Sequence, residues 1–422
     1  MSSPEDLPIR TPADLQEAIT RTVSETPAVD MHTHLFSPGF GDLLLRGVDE
    51  LVTYHYLIAE ALRADRSMAP EAFFALSKPQ QADHIWRALF LDRSPVSEAQ
   101  RGVLTTLTAF GLDVGARDLG QIRRFFEDLT AEQHVDTVLR LANVEQVVMT
   151  NDPFDPAEYA VWQRGGPEDE RFAAALRLDG LLLGWEQAAA RLRGWGYDAT
   201  AGVEGATQAE VRRFLGEWLD RTRALYMAVS LPDTFRFPEP SPCGTLLAQC
   251  VLPVAAERGV PCALMIGVKR AVNPALKLAG DGVGKADTGA VERLCADYPQ
   301  ARFLVTMLSR ENQHELCVAA RKFPNLMPFG CWWFLNDPSL VEEITRMRLE
   351  LLGLSFIPQH SDARVLDQLV YKWKHSRDIL RRVLVDKYRD LMATGWRLTR
   401  GDIERDVRAL LADNFRQFVG HL

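Results

Sequence analysis

Apolar positions along the chain follow two patterns, and their alternation carries most of the structural information. Eight short runs are nearly continuously apolar: Ala28–His34, Val144–Thr150, Phe172–Leu178, Ala224–Leu231, Cys262–Val268, Phe303–Leu308, Leu326–Cys331 and Leu354–Pro358. Such runs are what strands buried on both faces require. Between them the apolar spacing changes to three and four residues, as over 210–223, 246–258, 290–298, 313–322 and 339–352, the period of an amphipathic helix. Strand alternating with helix predicts parallel βαβ units, and eight of them predict an α/β fold of the closed (β/α)8 TIM-barrel type. Two stretches exceed that plan. Residues 41–143 are helical in pattern and predict a large insertion after the first strand, and 363–420 predict a C-terminal helical region. In the latter, Thr399-x-x-Asp402 ahead of Ile403 and Val407 reads as a capping box opening the last helix. Residues 1–27 are expected to form an N-terminal segment ahead of a single barrel domain spanning 28–422.

Composition narrows the class. A length of 422 residues exceeds the roughly 250 of a plain barrel, and the two helical regions account for the excess. The chain is 47% hydrophobic and 25% charged, which excludes disorder as the main theme. Lys and Arg total 48 against 57 Asp and Glu, a net charge of −9 with no long block of one sign. That balance argues against a nucleic-acid partner, and any small anionic ligand must be met by local cations. The opening MSSPEDLPIRTPADL has neither the basic nor the apolar region of a secretory signal. No run reaches the roughly 18 apolar residues of a membrane span; the richest, Leu246–Val268, is interrupted by Pro253, Glu257, Arg258 and Pro261. Six cysteines (Cys243, Cys250, Cys262, Cys295, Cys317 and Cys331) form no CxxC pair and read as free thiols. A cytoplasmic protein with no membrane partner is the expectation.

In a barrel, chemistry gathers where strands end. The first strand ends in His32-Thr33-His34, and residues two apart on a strand point to one side. Two neutral imidazoles suit zinc or a similar divalent ion, with a carboxylate from elsewhere closing the site. The plainer alternative is a pair of strand histidines satisfied by hydrogen bonds. Asp362 follows the last run, and first and last strands are neighbours in a closed barrel, so Asp362 can approach both histidines. A two-metal hydrolase would want a bridging Lys or Glu on the fourth strand and histidines on the fifth and sixth. Here stand Ser230-Leu231-Pro232 and Met265, and His314 lies several residues beyond the sixth strand; one metal is expected. Arg177 interrupts an apolar strand, which is costly without an anion: either Asp179 pairs with it or it clamps a substrate carboxylate. Arg364 sits in a loop, as a solvated side chain or a second clamp. Of Trp332 and Trp333, one belongs to the core and the other can wall a pocket with a plane suited to the C–H face of a sugar. Thr53-Tyr54-His55-Tyr56 falls in a helical pattern; residues about 100° apart cannot all reach one pocket, and a packed core histidine is the plainer reading.

Seven segments together resemble a known family: DMHTHLF (30–36), TYHYLIAE (53–60), LRLD (176–179), ALMIGVKRAVNPALKLAGDGVGKA (263–286), FLVTMLSRENQHEL (303–316), FGCWWF (329–334) and IPQHSDARVL (357–366). The chain is similar to the uronate (glucuronate) isomerases of the amidohydrolase superfamily over about 28–420, in their divergent branch. The commoner branch has a His in the fifth strand run, where this chain has Met265, and a lead-in other than His360-Ser361 to the last Asp-x-Arg. The resemblance implies a distorted barrel with a helical insertion after strand one, and interconversion of D-glucuronate with D-fructuronate or D-galacturonate with D-tagaturonate. It implies that His32, His34 and Asp362 hold one divalent metal, usually zinc, that Tyr56 and His55 serve proton transfer and substrate contact, and that Arg177 and Arg364 bind the sugar acid beside Trp332 or Trp333. Isomerisation removes the proton on C2 and returns one to C1 through an enediol; Asp362 and Tyr56 are both candidates for the base. An Arg pair would distinguish uronates from neutral hexoses by their C6 carboxylate. The alternatives are a mononuclear metal-dependent hydrolase of a carboxylated lactone or amide, and a non-catalytic sugar-acid binder. Leu-rich and aromatic helices leave room for a homo-oligomer.

Overall fold

Seven of the eight apolar runs contain strands in the computed structural model, which describes residues 7–166 and 168–420. Residues 1–6 of the expected N-terminal segment, Pro167 and the last two residues lie outside those described. The strands are β1 (Ala28–Thr33), β2 (Val144–Asn151), β3 (Phe172–Arg177), β4 (Met227–Pro232), β5 (Cys262–Lys269), β6 (Gly282–Val283), β7 (Phe303–Met307) and β8 (Leu326–Pro328). They pair in the order β1-β2-β3-β4-β5-β7-β8, all parallel, with the two-residue β6 added antiparallel to β5. Alternate residues of one strand enter different cores. Val29 and Met31 join Val148, Tyr226, Met265 and Leu304 inside the curled sheet, whereas Ala28, Val147, Leu176 and Val305 pack outward with the helices. Burial of both faces explains the near-continuous apolar runs.

The eighth run differs from its prediction. Leu354–Pro358 forms no strand; it makes one parallel bridge, Phe329 with Ile357. Pro358 carries no N–H to continue a ladder, and Asp362 takes a left-handed φ of 51°, which ends any extended path. The barrel still closes here, through separate backbone hydrogen bonds. Ile357 N donates to Pro328 O and Gly330 N to Ile357 O on one side; Asp362 N donates to His32 O and His34 N to Ala363 O on the other. The result is a distorted (β/α)8 barrel.

Between β1 and β2 the chain is helical, with helices His55–Ala64, Lys78–Trp86, Glu98–Ala109, Leu119–Glu127 and Ala131–Ala142 among others. All but the last share a separate apolar cluster that includes Leu51, Ile85, Trp86, Val103, Leu107 and Ile122, while Ala131–Ala142 packs into the main core through Val135, Val138 and Leu139. The last of these helices opens on a Thr130–Gln133 capping box and stops at Asn143, whose left-handed φ of 50° turns the chain directly into β2. After the eighth run, the helix Gln368–Ala393 packs on Pro12–Glu25 and Glu98–Ala109. The Thr399–Asp402 capping box is formed at the start of Arg400–Arg408. All six cysteines are unpaired thiols. Among the described residues no helix is long and apolar enough to cross a membrane.

Candidate metal centre and active site

β1 delivers His32 and, one residue past its end, His34; the irregular eighth segment delivers Asp362. Asp362 Oδ1 stands 3.8 Å from His32 Nε2 and 3.3 Å from His34 Nε2. Ligand atoms bound tetrahedrally at about 2.0–2.1 Å lie roughly 3.3–3.4 Å apart, so the three atoms have the spacing of one metal's coordination edges. Among the described residues this is the one cluster of three or more such groups whose ligand atoms all lie within 4.8 Å of one another. His32 Nε2 and Asp362 Oδ1 are buried without a hydrogen-bond partner, an arrangement that costs about 1–3 kcal/mol per group unless something satisfies it. A divalent cation satisfies both lone pairs, and the donor set fits it.

The surroundings fix these three side chains. Tyr226, fully buried, donates its hydroxyl proton to Met31 O, so the bond between Tyr226 Oη and His32 Nδ1, 3.1 Å long, must be donated by the imidazole. The proton on Nδ1 leaves the lone pair on Nε2, facing Asp362. Burial, reinforced by His34, pushes the His32 imidazole down to about 3; burial and then Arg364 hold His34 well below its ordinary value. Both are neutral, as metal ligands must be. Asp362's left-handed backbone costs on the order of 1–3 kcal/mol and is held by its neighbours. Ser361 N donates to Asp30 Oδ1 at 3.0 Å, Ala363 N donates to Ser361 Oγ at 3.1 Å, and Trp373 Nε1 donates to Asp30 Oδ2 at 2.9 Å. His360, two residues before Asp362, is fully buried with neither ring nitrogen partnered. Gly330 makes room for that ring: a Cβ there would stand 1.7 Å from His360 Nδ1.

A cavity of about 290 Å³ is lined by His55, Tyr56, Trp333, Phe334, Tyr371 and Lys372, among others, at the small end of ligand-sized pockets. Of the Thr53–Tyr56 tetrad only His55 and Tyr56 line the cavity, but the helical pattern expected across all four residues is not formed. The helix begins only at His55, and Tyr54 before it is extended (φ −65°, ψ 144°). Helical spacing therefore does not separate the rings of Tyr54, His55 and Tyr56, which lie 4.1–4.9 Å apart. Thr53 instead closes the preceding turn, donating its hydroxyl to Asp49 O. His55 also meets Trp333 edge-on at 5.5 Å. His55 Nε2, Trp333 Nε1 and the hydroxyls of Tyr54 and Tyr56 are all buried and unpartnered. Burial holds the Tyr56 hydroxyl well above its ordinary range and pushes His55 down to about 3. Both tryptophans are buried in the cluster inside the sheet; Trp333, at a left-handed φ of 48°, also lines the cavity.

The two arginines part company. Arg177 holds Asp179 through both Nε and Nη2, each at 3.1 Å, so the internal ion pair is formed and that edge of the guanidinium is occupied. Arg364 places its guanidinium 3.5 Å from His34 Nε2, while its backbone N–H donates to Gln368 Oε1 at 2.9 Å. His314 is exposed on the helix Gln313–Ala320, and Met265 is buried apolar core. Tyr226 and Lys372 escaped sequence reasoning. An aromatic in an apolar run looks like core, and Lys372 stands beside Lys374 in a helix with nothing to mark it as buried.

No protein-family profile matches the chain, and no curated protein matches it by sequence. Solved structures do. A uronate isomerase from Bacillus halodurans C-125 superposes with a TM-score of 0.97 at 56% identity, covering 98% of this chain and 98% of that one. A uronate isomerase from Thermotoga maritima gives 0.77 at 16% identity over 95% of this chain and 97% of that one, and a glucuronate isomerase from Caulobacter crescentus gives 0.69 at 14% over 97% and 94%. The two distant matches show the shared fold. With more than half its residues identical over nearly the whole length of the first, the chain belongs to the uronate isomerase family.

Proposed function

We propose that the protein interconverts aldouronates and ketouronates, D-glucuronate with D-fructuronate and D-galacturonate with D-tagaturonate, by proton transfer through an enediol. The observation that carries the mechanism is the His32–His34–Asp362 cluster, in which His32 and Asp362 are buried with unsatisfied lone pairs, together with a cavity walled by unpartnered hydroxyl, imidazole and indole groups. His32, His34 and Asp362 would hold one divalent metal, zinc by donor type. When bound, such an ion supplies positive charge that stabilises an oxygen gaining negative charge.

The chain's own groups divide the remaining work. Tyr56 keeps its proton at neutral pH because burial raises its hydroxyl; it serves as a donor to the substrate's O1 or O2 and not as the base. Asp362 is then the base for the C2 proton, through the carboxylate oxygen that does not face the histidines. Neutral His55 and the Trp333 indole N–H orient sugar hydroxyls. Arg364, beside His34, binds a substrate oxygen, and Arg177 contributes its field from within the Asp179 pair. A hydrolase with a second metal is not favoured, since Met265 and the exposed His314 supply no ligands for one. The proposed setting is the cytoplasm, in keeping with six unpaired thiols.

The test is direct. The purified, metal-loaded protein is incubated with D-glucuronate and with D-galacturonate, and appearance of the ketouronate is followed. Turnover with solvent deuterium entering C1 supports proton transfer. No turnover of either, together with hydrolysis of a carboxylated lactone, would overturn the isomerase reading.

A further inference from the structure

Lys372 stands on the wall of the same cavity, near the start of the helix Gln368–Ala393. It is only 2% exposed. Its ammonium has three donors to place, and it donates one hydrogen bond, to the carbonyl of Ser361. No carboxylate comes within ion-pairing distance of it among the described residues. The acids whose fields reach it are Asp362, Asp30 and Glu98, and each is committed elsewhere. Asp30 accepts from Ser361 N and Trp373 Nε1, Glu98 holds Arg101 and His375, and Asp362 Oδ1 faces the histidines. A buried ammonium without a counter-charge is strongly disfavoured. It is retained where a ligand supplies the missing anion. The Nε–Nη2 edge of Arg177 is already held by Asp179.

We infer that Lys372 is a further substrate-binding residue of this site, its ammonium meeting a negatively charged oxygen of the sugar acid. The inference rests on the sugar-acid reading above. The oxygen belongs either to the carboxylate, charged throughout the reaction, or to C1 or C2, where charge develops as the enediol forms. Lys372 would then complement Arg364 from the opposite chemical side: a compact point charge where Arg364 offers a planar fork.

The experiment compares wild type with Lys372→Gln, Lys372→Met and Lys372→Arg, each metal-loaded. Gln removes the charge but keeps a donor for the Ser361 carbonyl. Steady-state kinetics with D-glucuronate are combined with calorimetric binding of D-gluconate, a non-isomerising sugar acid, and of neutral D-sorbitol. Loss of a carboxylate contact raises KM and the D-gluconate Kd ten- to hundred-fold with kcat held and D-sorbitol binding unchanged. Loss of a contact to the developing charge lowers kcat by a similar factor with KM held. Either result supports the assignment, and partial recovery in Lys372→Arg strengthens it. Values within two-fold of wild type in Lys372→Gln overturn it, as does weakened binding of D-gluconate and D-sorbitol by equal factors, which marks a merely structural lysine. If wild type binds D-gluconate yet turns over no uronate, the isomerase reading fails while the Lys372 contact is still decided by the binding data.

Discussion

Replacing Tyr226 with Phe removes one oxygen and tests how the proposed metal centre is held. The hydroxyl, at a fully buried position, bridges Met31 O and His32 Nδ1, the latter at 3.1 Å. Phe fills the same volume, so packing is preserved and the loss is polar. Two consequences follow. Met31 O and the Nδ1 proton are left without partners, and the imidazole loses its reason to keep that proton on Nδ1. Stability should fall by about 1–3 kcal/mol, the penalty for buried groups left unsatisfied. Metal affinity should fall about 10- to 100-fold, the usual effect of removing a group that orients a ligating histidine, or roughly 1.4–2.7 kcal/mol. Competition titration of zinc against a chromophoric chelator measures the affinity, and urea unfolding of the metal-free protein measures stability. An affinity within two-fold of wild type would refute the claim that Tyr226 sets the tautomer, whatever happened to the unfolding midpoint.

Glu158, buried at the end of β2 against Asn151 Nδ2 and Asp152 N, is pushed by burial from 4.5 up to about 8. A raised carboxyl stabilises the fold fully below its ordinary value and loses that contribution as pH rises toward 8, so Glu158→Gln should match wild type near pH 4.5 and gain on it up to pH 8, by as much as about 4 kcal/mol. A pH-independent difference in thermal unfolding would contradict this. Gly330→Ala places a methyl 1.7 Å from His360 Nδ1 at a φ of +60° and should cost at least about 3 kcal/mol; a loss below about 1 kcal/mol in denaturant unfolding would mean the ring has another place to go. Asp367→Asn leaves one acceptor oxygen where two are used: Oδ1 faces the fully buried His134 Nε2 at 2.7 Å and Oδ2 accepts from Gly47 N. An amide nitrogen must then face one of these donors, which should cost about 1–3 kcal/mol, read as a lower midpoint in the same assay.

Where burial on both faces dictates composition, the chain is legible. Seven runs contain strands because burial between the inner and outer cores keeps most of their side chains apolar. The His32–His34 spacing is legible for the same reason: a strand's period of two fixes both imidazoles to one side. Helix boundaries are less so. Tyr54, His55 and Tyr56 read as one helix because their apolar neighbours keep the helical period, yet a single extended residue ahead of His55 brings the rings together. Arg177 illustrates a different limit. Its two readings, ion pair or clamp, differ only in where Asp179 points, and an acid two residues away is compatible with both. Tyr226 and Lys372 matter through contacts spanning 194 and 11 residues, which no local pattern reports.

The eighth segment joins these two limits and explains why the site looks as it does. A regular eighth strand would pair with β1 through a continuous ladder and send alternate side chains in and out. Leu354–Pro358 is apolar enough to suggest that. Instead the segment holds its neighbours by isolated backbone bonds, and the chain turns left-handed at Asp362, sending the carboxylate toward His32 and His34. The strain at that residue is sustained by Asp30, which is fixed in turn by Trp373 from the C-terminal helix. The same helix presents Lys372 to the Ser361 carbonyl next to Asp362. The C-terminal helical region, legible in the sequence as helix but not as part of the site, is therefore the brace that allows the barrel to close irregularly and to place one carboxylate over two imidazoles.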